Sequence, residues 1–556
     1  MSNHFFNGGL LNIESRGIAV PALILAAASI GSRLLGIARD WLLAERFGAG
    51  PQLDVYYAAF RIPDFIYNIL VFGGITVAFL PLFSDYFAKN KDEAWRFANN
   101  TLNVFFAFLA ALCAIFFVFA APLVRLVAPG FSPEQLAQTA FLSRLMFASP
   151  IIFGIASIFS GILQYFKKFL AYSFAAPLYN LGIIFGILFF APSMGIAGVG
   201  LGVILGALLY LAIQIAPAFG CGFHYAPVFD LRAQSLKKVF NLMLPRTAGI
   251  AANQINLIAP TIIGSTLAAG SITVFSLANN IYAIPVGIIG ISYATAAFAS
   301  FSKSFSEGDR AGLAKKFSAA YRQIGYLVIP ATILLFILRQ PVVDILYYHG
   351  QFTYDAALLV SASLAFFCFG IYFAALTPVL FRLFFSLRDT ATPTITTVVS
   401  VAANVALNYL FVAAFAGGLP ADFARQAFGL PGAGNIGVLG LSLAYSAANA
   451  LQFALLVFFI YKKDSRLVMT REIAVSLLKS AVAGIFMAVA VYLVIGALPR
   501  SGIFQELFAL ALASATGGAV YLAISSLLGS PEIIIVKEIL SKKWNQSRKT
   551  NTTSQK

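Results

Sequence analysis

Uninterrupted apolar runs of about 20 residues recur along the whole chain, and each is long enough to cross a hydrocarbon layer of about 30 Å as a helix. Inside lipid, a helix satisfies its own backbone hydrogen bonds. A β-barrel would instead need alternating segments of about ten residues, which these runs do not show. We therefore predict an all-α polytopic membrane protein with about fourteen transmembrane helices.

The composition agrees with a chain that is largely embedded in lipid. Hydrophobic residues make up 60% and charged residues 10% of the 556 residues, which excludes a set of water-soluble domains. The first apolar run contains Arg33, Arg39 and Asp40 and has no small-residue cleavage site. We expect it to be retained as the first transmembrane helix rather than removed as a signal peptide.

The net charge of +16 comes from Lys and Arg residues in short loops and in the segment Lys537–Lys556. Basic loops, such as the one with Lys167 and Lys168, alternate with loops that have few or no basic residues. This alternation is the positive-inside pattern, so the charge does not indicate a nucleic-acid partner. We predict a multi-pass protein of the bacterial cytoplasmic (inner) membrane with both termini in the cytoplasm.

No motif indicates catalysis or a bound cofactor. The sequence has no GxxxxGK[ST] phosphate loop and no HExxH zinc motif. Its three cysteines, Cys113, Cys221 and Cys368, are far apart and form no metal-ligand spacing. We expect a protein that is not an enzyme and has no cofactor or metal site. Coupling to the membrane potential, to Na+ or to H+ stays open.

The chain contains an internal repeat. The segment Arg33–Ala38 recurs as Arg246–Ala251, and the pair Ile66–Tyr67 recurs as Ile281–Tyr282, at an offset of about 213 to 218 residues. The repeat predicts two six-helix lobes in parallel pseudo-repeat, followed by two further helices and a basic tail. The predicted boundaries are 1–218 for the N-lobe, 219–462 for the C-lobe, 463–530 for the two helices and 531–556 for the cytoplasmic tail. We expect the tail to lie on the anionic inner leaflet.

Parallel repeats place a transport pathway between the lobes, lined by the first, second, seventh and eighth helices. A charge at the centre of a membrane helix costs about 2.5 to 3.5 kcal/mol to insert, so such residues usually face a water-filled cavity. These four helices contain the polar residues that the pathway needs. The candidate substrate-binding residues are Arg33, Arg39 and Asp40 in the first helix, Asp54, Arg61, Asp64 and Asn68 in the second, Arg246 in the seventh, and Asn279 and Asn280 in the eighth.

The spacing and sign of these residues favour an anionic cargo. Asp54, Arg61 and Asn68 are spaced by seven residues and so lie on one helix stripe. Arg33 and Arg246 have no acidic neighbour within one helical turn. The guanidinium fork matches phosphate oxygens in a bidentate way, so unpaired arginines in a cavity fit a diphosphate headgroup.

Two structural alternatives to substrate binding stay open. Adjacent opposite charges, Arg39 with Asp40 and Arg61 with Asp64, could be ion pairs that only hold helix ends at the membrane surface. The arginines without acidic neighbours could extend along their helices to the lipid headgroups.

Several short motifs along most of the chain resemble those of a known family. They are Ser32–Asp40, Phe47–Gly50 with Asp54, Phe79–Pro81, Ala128–Phe131, Pro177 with Asn180, Gln254–Ile258, Leu267–Ser271, and Arg388–Thr390 with Thr392 and Pro393. Together they resemble the MurJ (MviN) lipid II flippases of the multidrug/oligosaccharidyl-lipid/polysaccharide exporter superfamily. The resemblance implies two lobes around a V-shaped cavity with alternating access, and a groove for the polyprenyl tail at the last two helices.

The resemblance also implies roles for particular residues. Arg33 and Arg39 match two family arginines that engage the diphosphate, and Asp54 matches the aspartate of the second helix. The sequence departs from the family pattern in two helices. Where the second helix of the family has an arginine and an acidic residue, this chain has Tyr67 or Asn68 and Phe72, and Asn280 replaces the arginine of the eighth helix. We hypothesise that Arg61 and Arg246 compensate.

The predicted function is a lipid II flippase that moves the undecaprenyl-diphosphate-linked peptidoglycan precursor from the inner to the outer leaflet. The expected partners are lipid II or a related polyprenyl-diphosphate lipid, the membrane and cell-wall synthesis enzymes. Two alternatives stay open: a secondary exporter of another polyprenyl-linked oligosaccharide or small molecule, and a non-transporting membrane scaffold. The excess of arginines over isolated carboxylates argues against a cationic cargo.

Overall fold

The computed structural model describes residues 19–430, 436–464, 467, 471–499 and 502–533, and the side chains of 19–23, 73, 77, 244–249 and 252–253 lie outside that description. All regular secondary structure in the described residues is helical. Within these described ranges, eleven helices are long and apolar enough to cross a membrane. The prediction of an all-α polytopic membrane protein is confirmed, and the count of fourteen stays a prediction.

The helices fall into two compact units, Met1–Ser276 with Tyr347–Ala356, and Leu277–Leu346 with Ala357–Lys556. The first unit contains α1 (Ala19–Phe47), α2 (Pro51–Ile66), α3 (Thr76–Lys89), α4 (Lys91–Val118), α5 (Ala120–Val127), α6 (Pro133–Met146), α7 (Ala148–Tyr165), α8 (Phe169–Phe185), α9 (Ala191–Met194), α10 (Ile196–Gly220) and α11 (Gln234–Gly264). The unit boundary falls within α12 (Ser271–Pro285). The second unit contains α13 (Ser292–Ser306), α14 (Arg310–Ile337), α15 (Arg339–Tyr347), α16 (Tyr354–Ser386), α17 (Ala391–Ala416), α18 (Leu419–Phe428), α19 (Val438–Lys463), α20 (Arg471–Ala497) and α21 (Ile503–Leu527). The last residue of α15 and the first three residues of α16 belong to the first unit. The lobe boundaries expected from the sequence stay predictions.

Local sequence signals set several helix ends. The Asn90 side chain accepts a hydrogen bond from the Asp92 N–H at 2.9 Å and so begins α4. Ser132 and Gln135 form a reciprocal capping box that begins α6. With 28 residues, α4 is about 42 Å long, which exceeds the hydrocarbon thickness.

In the part of the chain that the structure describes, three π-helical segments interrupt the α-helices: Tyr67–Ile75 between α2 and α3, Gly186–Phe190 between α8 and α9, and Val286–Ile291 between α12 and α13. Pro285, which directly precedes the third segment, has no N–H for the α-helical hydrogen-bond pattern. Short π segments are frequent at functional sites. Tyr67–Ile75 lies in the predicted second transmembrane helix, and Val286–Ile291 lies in the predicted eighth. Both of these helices are predicted to line the pathway.

Glycines bring α8 and α10 into close contact. Gly182 faces Gly206, and Gly186 faces Gly202, with no space for a Cβ atom at these positions. Gly182 and Gly186 are four residues apart in one segment, and Gly202 and Gly206 are four residues apart in the other. This spacing of small residues lets membrane helices approach each other backbone to backbone. Close packing of this kind gives the helices around Asn180 a fixed separation.

Two helices end in the same turn, each with a basic residue in the left-handed region. Lys167 follows α7 with a φ of 56°, and Arg388 follows α16 with a φ of 59°. In both turns the next N–H donates to the carbonyl five positions back, at 2.8 Å for Lys168 and 3.0 Å for Asp389. This is the Schellman arrangement, which usually has glycine at the left-handed position.

Candidate functional site

Asp54 lies in the first turn of α2 and fastens that helix to the start of α12. Its carboxylate accepts hydrogen bonds from the Gly270 N–H at 2.6 Å, the Thr273 N–H at 2.8 Å and the Thr273 hydroxyl at 2.7 Å. The first N–H groups of a helix have no partner within the helix, and its N-terminus favours a negative charge. Asp54 is only 2% exposed, so the structure gives it a capping role at the helix end rather than an open position in a cavity.

Arg39 is held in place by α1 and α8 together. Its Nε and Nη2 atoms donate to Asp40 Oδ1 at 3.0 and 2.8 Å, and Nη1 donates to Asn180 Oδ1 at 3.2 Å. The Asn180 amide nitrogen in turn donates to the backbone carbonyl and the hydroxyl of Ser32, both at 3.2 Å. The Asn180 amide therefore connects one turn of α1 with Arg39 two turns later, and the guanidinium has a fixed direction.

Arg61 forms its contact with a different helix from the one that the sequence suggested. Its Nε donates to the hydroxyl of Thr261 on α11 at 2.7 Å, and no ion pair joins it to Asp64 among the described residues. The backbone carbonyl of Asp64 accepts from Asn68 Nδ2 at 2.9 Å and from Gln254 Nε2 at 3.3 Å. Of the two ion pairs considered from the sequence, the structure contains Arg39 with Asp40 only.

Tyrosines surround these charges. Tyr56 and Tyr57 are adjacent on α2, with ring centroids 5.5 Å apart, and both interact electrostatically with Arg39. Tyr179, next to Asn180 on α8, interacts with Asp64 and Arg39. Sequence reasoning did not select Asn180, Thr261 or these tyrosines as site residues. The signal that was available is a pair of consecutive tyrosines between Asp54 and Arg61, on a helix already chosen for its charges.

The remaining candidates lie on α1, α11 and α12. Arg33 is exposed on α1 and forms no hydrogen bond or ion pair with the residues that the structure describes. Asn279 and Asn280 are half-buried on α12 in the second unit. Arg246 lies on α11, but its side chain is outside the described part of the structure.

The charges of the first unit suit an anion. Arg39 and Arg61 interact electrostatically with two carboxylates, Asp40 and Asp64, and the exposed Arg33 on α1 adds one positive charge to these four side chains. Arg33 has no partner among the described residues, and Arg39 is already oriented, as bidentate binding of phosphate oxygens by a planar guanidinium requires. In the described residues, no group of three His, Cys, Asp or Glu side chains has a geometry that could hold a metal ion.

Charged and aromatic side chains lie inside a bundle of apolar helices that can span a membrane, an arrangement typical of membrane transport proteins. The model of the family "Lipid II flippase MurJ" matches residues 43–513, which include most of both compact units. The chain belongs to the lipid II flippase MurJ family.

Individual proteins agree with this assignment. The chain is 27% identical over 547 residues to a Rhizobium tropici protein named "Probable lipid II flippase MurJ", with 94% of this chain and 96% of the relative covered. A solved structure of lipid II flippase MurJ in an inward closed conformation matches with a TM-score of 0.73 and 24% identity, covering 91% of this chain and 98% of that one. A multidrug resistance MATE family transporter of the MOP superfamily, in an inward-facing conformation, matches with a TM-score of 0.62 and 16% identity over 80% of this chain and 99% of that one. The fold is shared with both transporters.

Proposed function

We propose that this protein is a lipid II flippase, which moves the undecaprenyl-diphosphate-linked peptidoglycan precursor from the inner to the outer leaflet of the bacterial cytoplasmic membrane. The observation that carries the proposal is the family match over residues 43–513. The protein would act in peptidoglycan biosynthesis and cell shape as a transporter and not as an enzyme, with both termini in the cytoplasm.

In this proposal the diphosphate headgroup binds in a cavity near Arg33 and Arg39. The Arg39 guanidinium is oriented by Asp40 and Asn180 before the cargo arrives, so less conformational entropy is lost on binding. Arg33 has no partner to give up among the described residues. Asp64 and Arg61 complete the polar lining on α2, and Arg246, Asn279 and Asn280 are assigned to the same pathway from the sequence.

Transport is proposed to proceed by alternating access. The headgroup crosses through the pathway, while the polyprenyl tail stays in the bilayer along α20 and α21, within the predicted segment 463–530. No cofactor is needed, and the driving force is the membrane potential or a Na+ or H+ gradient. One elementary charge moved across 100 mV corresponds to about 2.3 kcal/mol. Cell-wall synthesis enzymes are the proposed protein partners.

Complementation of a conditional lipid II flippase deletion tests the proposal. We expect the parent protein to restore growth, and Arg33→Ala and Arg39→Ala to reduce rescue strongly at equal membrane levels. Arg39→Lys keeps the charge but loses the fork, so it should rescue less well than the parent. Arg96→Ala is the control, because Arg96 is an exposed arginine on α4 that has no role in the proposed pathway.

A well-expressed parent that fails to restore growth would contradict lipid II as the cargo. Asn280, which replaces the family arginine of the eighth helix, favours the second candidate in that case: export of another polyprenyl-linked oligosaccharide. Binding of the purified protein to other polyprenyl-diphosphate sugars would then identify the cargo. A protein that binds none of these lipids would point to a membrane scaffold.

A further inference from the structure

The first unit contains a polar cavity of about 780 Å³ at the end of α1, outside the site described above. Its walls come from the end of α1, the starts of α2 and α6, the turn before α12 and the turn between α15 and α16. All of these segments belong to the first unit. Ligand-binding clefts usually have volumes of about 300 to 1,000 Å³, so the cavity is large enough for a ligand.

Amide side chains dominate the lining of this cavity. Four of the ten lining residues are glutamines: Gln52, Gln135, Gln138 and Gln351. A carboxamide has two N–H donors and one acceptor oxygen, so it matches ligand groups that both donate and accept, such as peptide amides and the hydroxyl groups of sugars. The two charged residues of the lining, Arg46 and Glu134, have opposite signs. The cavity is therefore polar without a net charge.

Several of these side chains have hydrogen-bonding groups that the protein does not use. Among the described residues, Arg46, Gln52 and Gln351 form no side-chain hydrogen bond or ion pair, and all three are exposed. Gln138 has one long hydrogen bond, from its Nε2 to Glu134 Oε1 at 3.4 Å. A ligand can therefore bind to these groups without displacing strong contacts within the protein.

The start of α2 adds backbone donors to the cavity. Pro51 and Gln52, the first two residues of α2, both line it, and Gly50 gives this helix end no side-chain cap. The first N–H groups of a helix have no partner within the helix, and the N-terminus favours a negative charge. Together with the guanidinium of Arg46, this helix end suits a ligand that has a carboxylate as well as amides.

Arg46 continues the stripe of α1 on which Arg39 lies. The two arginines are seven residues apart, which is nearly two full helical turns, so they share one face and are about 10 Å apart along the helix axis. Arg39 is oriented by Asp40 and Asn180 at the proposed diphosphate site. With the N-terminus in the cytoplasm, as proposed above, α1 ends on the outer side of the membrane. The cavity then lies beyond Arg39 in the direction of transport.

We propose that this cavity is a second headgroup site, which binds the sugar–peptide part of the cargo as it reaches the outer side. The inference rests on the proposed function. Arginines suit the diphosphate, whereas a lining of amides without net charge suits sugar hydroxyls and peptide groups. A headgroup with its diphosphate near Arg39 and its sugars towards Arg46 meets matching chemistry at both places. Free peptidoglycan fragments have the same sugar–peptide chemistry, and the test separates the two sources.

The test measures binding of two soluble probes to the full-length protein in lipid nanodiscs by titration calorimetry. One probe is a peptidoglycan disaccharide–pentapeptide without diphosphate or lipid, and the other is inorganic pyrophosphate. The variants are Gln52→Ala, Gln351→Ala and Arg46→Ala. Gln234→Ala is the glutamine control and Arg125→Ala is the arginine control, because both residues are exposed and neither lines the cavity.

We expect each glutamine variant to bind the disaccharide–pentapeptide about three- to ten-fold more weakly, the effect of losing one hydrogen bond. Arg46→Ala should weaken its binding at least about ten-fold, because a hydrogen bond to a charged group is lost. The two controls should bind it as the parent does. Pyrophosphate binding should fall in Arg39→Ala and stay unchanged in both glutamine variants.

Two results would overturn the second site: no saturable binding of the disaccharide–pentapeptide by the parent up to about 1 mM, or equal affinities in the parent and the Gln52→Ala/Gln351→Ala double variant. Complementation separates the two sources of the ligand. Reduced rescue by the double variant supports the cargo headgroup, whereas full rescue despite weaker binding identifies free fragments and overturns the role in transport. A parent that binds the fragment in the cavity but fails to restore growth contradicts the proposed function alone. Equal thermal unfolding curves exclude loss of folding as the cause.

Discussion

Asp54 accepts two hydrogen bonds from Thr273, one from its N–H at 2.8 Å and one from its hydroxyl at 2.7 Å, across 219 positions of sequence. The side chain that the sequence suggested for substrate binding is therefore the cap of another helix. A buried carboxylate with three donors is a strong anchor, because hydrogen bonds to a charged group stabilise by about 1.5 to 3 kcal/mol.

Replacement of Asp54 by Asn should weaken the start of α12 by about 2 to 3 kcal/mol. The amide has one acceptor oxygen and places an NH2 group against N–H donors. Thr273→Val removes only the hydroxyl bond and should cost about 1 kcal/mol. Thermal unfolding in detergent measures both. Equal losses for the two variants would contradict the capping role.

Asn180 should affect transport through Arg39 alone. Asn180→Ala removes the oxygen that accepts from Arg39 and the amide that donates to Ser32. We expect reduced rescue at normal membrane levels, because the guanidinium is no longer held in one direction. A double-mutant cycle measures the coupling: Arg39→Ala with Asn180→Ala should be no worse than Arg39→Ala alone. Additive losses would show that Asn180 acts elsewhere.

Asp389, in the loop between α16 and α17, should make stability depend on acid pH. Burial alone would raise the pKa of this carboxyl, but hydrogen bonds from Lys463 and from the hydroxyl and N–H of Thr392 outweigh burial, and the pKa lies below its usual value of 3.8. A lowered folded-state pKa means that the stabilisation is complete above about pH 4 to 5 and is lost as the pH falls through the folded-state pKa.

The measurement is thermal unfolding in detergent from pH 7 to pH 3. Asp389→Asn should be less stable than the parent at pH 7 and should approach it towards pH 3, where the parent carboxyl is protonated. Because Lys463 is 45% exposed, the difference should also shrink in high salt. A constant difference across this pH range would contradict the assignment.

Glu532 should be needed to keep the last helices in place. Its side chain is 4% exposed and lies 3.3 Å from Arg322 Nη1, on α14. Glu532→Ala leaves the half-buried Arg322 with Glu472 alone, 3.8 Å away, and should destabilise the protein by less than the roughly 3 to 5 kcal/mol expected for a fully buried pair. The exposed pair of Lys303 and Glu307 is the control, and Glu307→Ala should cost less than about 0.5 kcal/mol. Similar unfolding temperatures for the two variants would show that the Arg322 pair is weak.

The class of fold and the helices that carry charge could be predicted from the sequence, because insertion into lipid requires long apolar runs and makes every intramembrane charge conspicuous. The hydrogen-bond and ion-pair partners of those charges could not be predicted from the sequence. The seven-residue spacing places Asp54, Arg61 and Asn68 on one stripe, yet their hydrogen bonds go to different elements. Asp54 accepts from Thr273 on α12, Arg61 donates to Thr261 on α11, and Asn68 donates to the Asp64 carbonyl four residues earlier. Spacing along a helix defines a face, whereas the element opposite that face depends on tertiary packing.

Asn180 shows what a local pattern leaves out. It was visible as a polar residue in an apolar helix, with Pro177 as part of the family motif, but nothing around it indicated Arg39, 141 positions away. The close packing of α8 on α10 through glycines fixes the position of that helix, and this packing depends on the spacing of small residues in two segments at once.

The π-helical segments after α2 and α12 give each of these helices a point at which one part can rotate about the helix axis relative to the other. A π turn contains one residue more than the α turn on either side. If that residue passes along the helix, the part beyond it rotates by about 100° and advances by about 1.5 Å, while each broken hydrogen bond is replaced by another. The stretch Tyr67–Ile75 lies between the polar residues of α2 and the apolar α3. The two ends of one membrane helix can thus turn against each other without unfolding, which a straight α-helix does not allow.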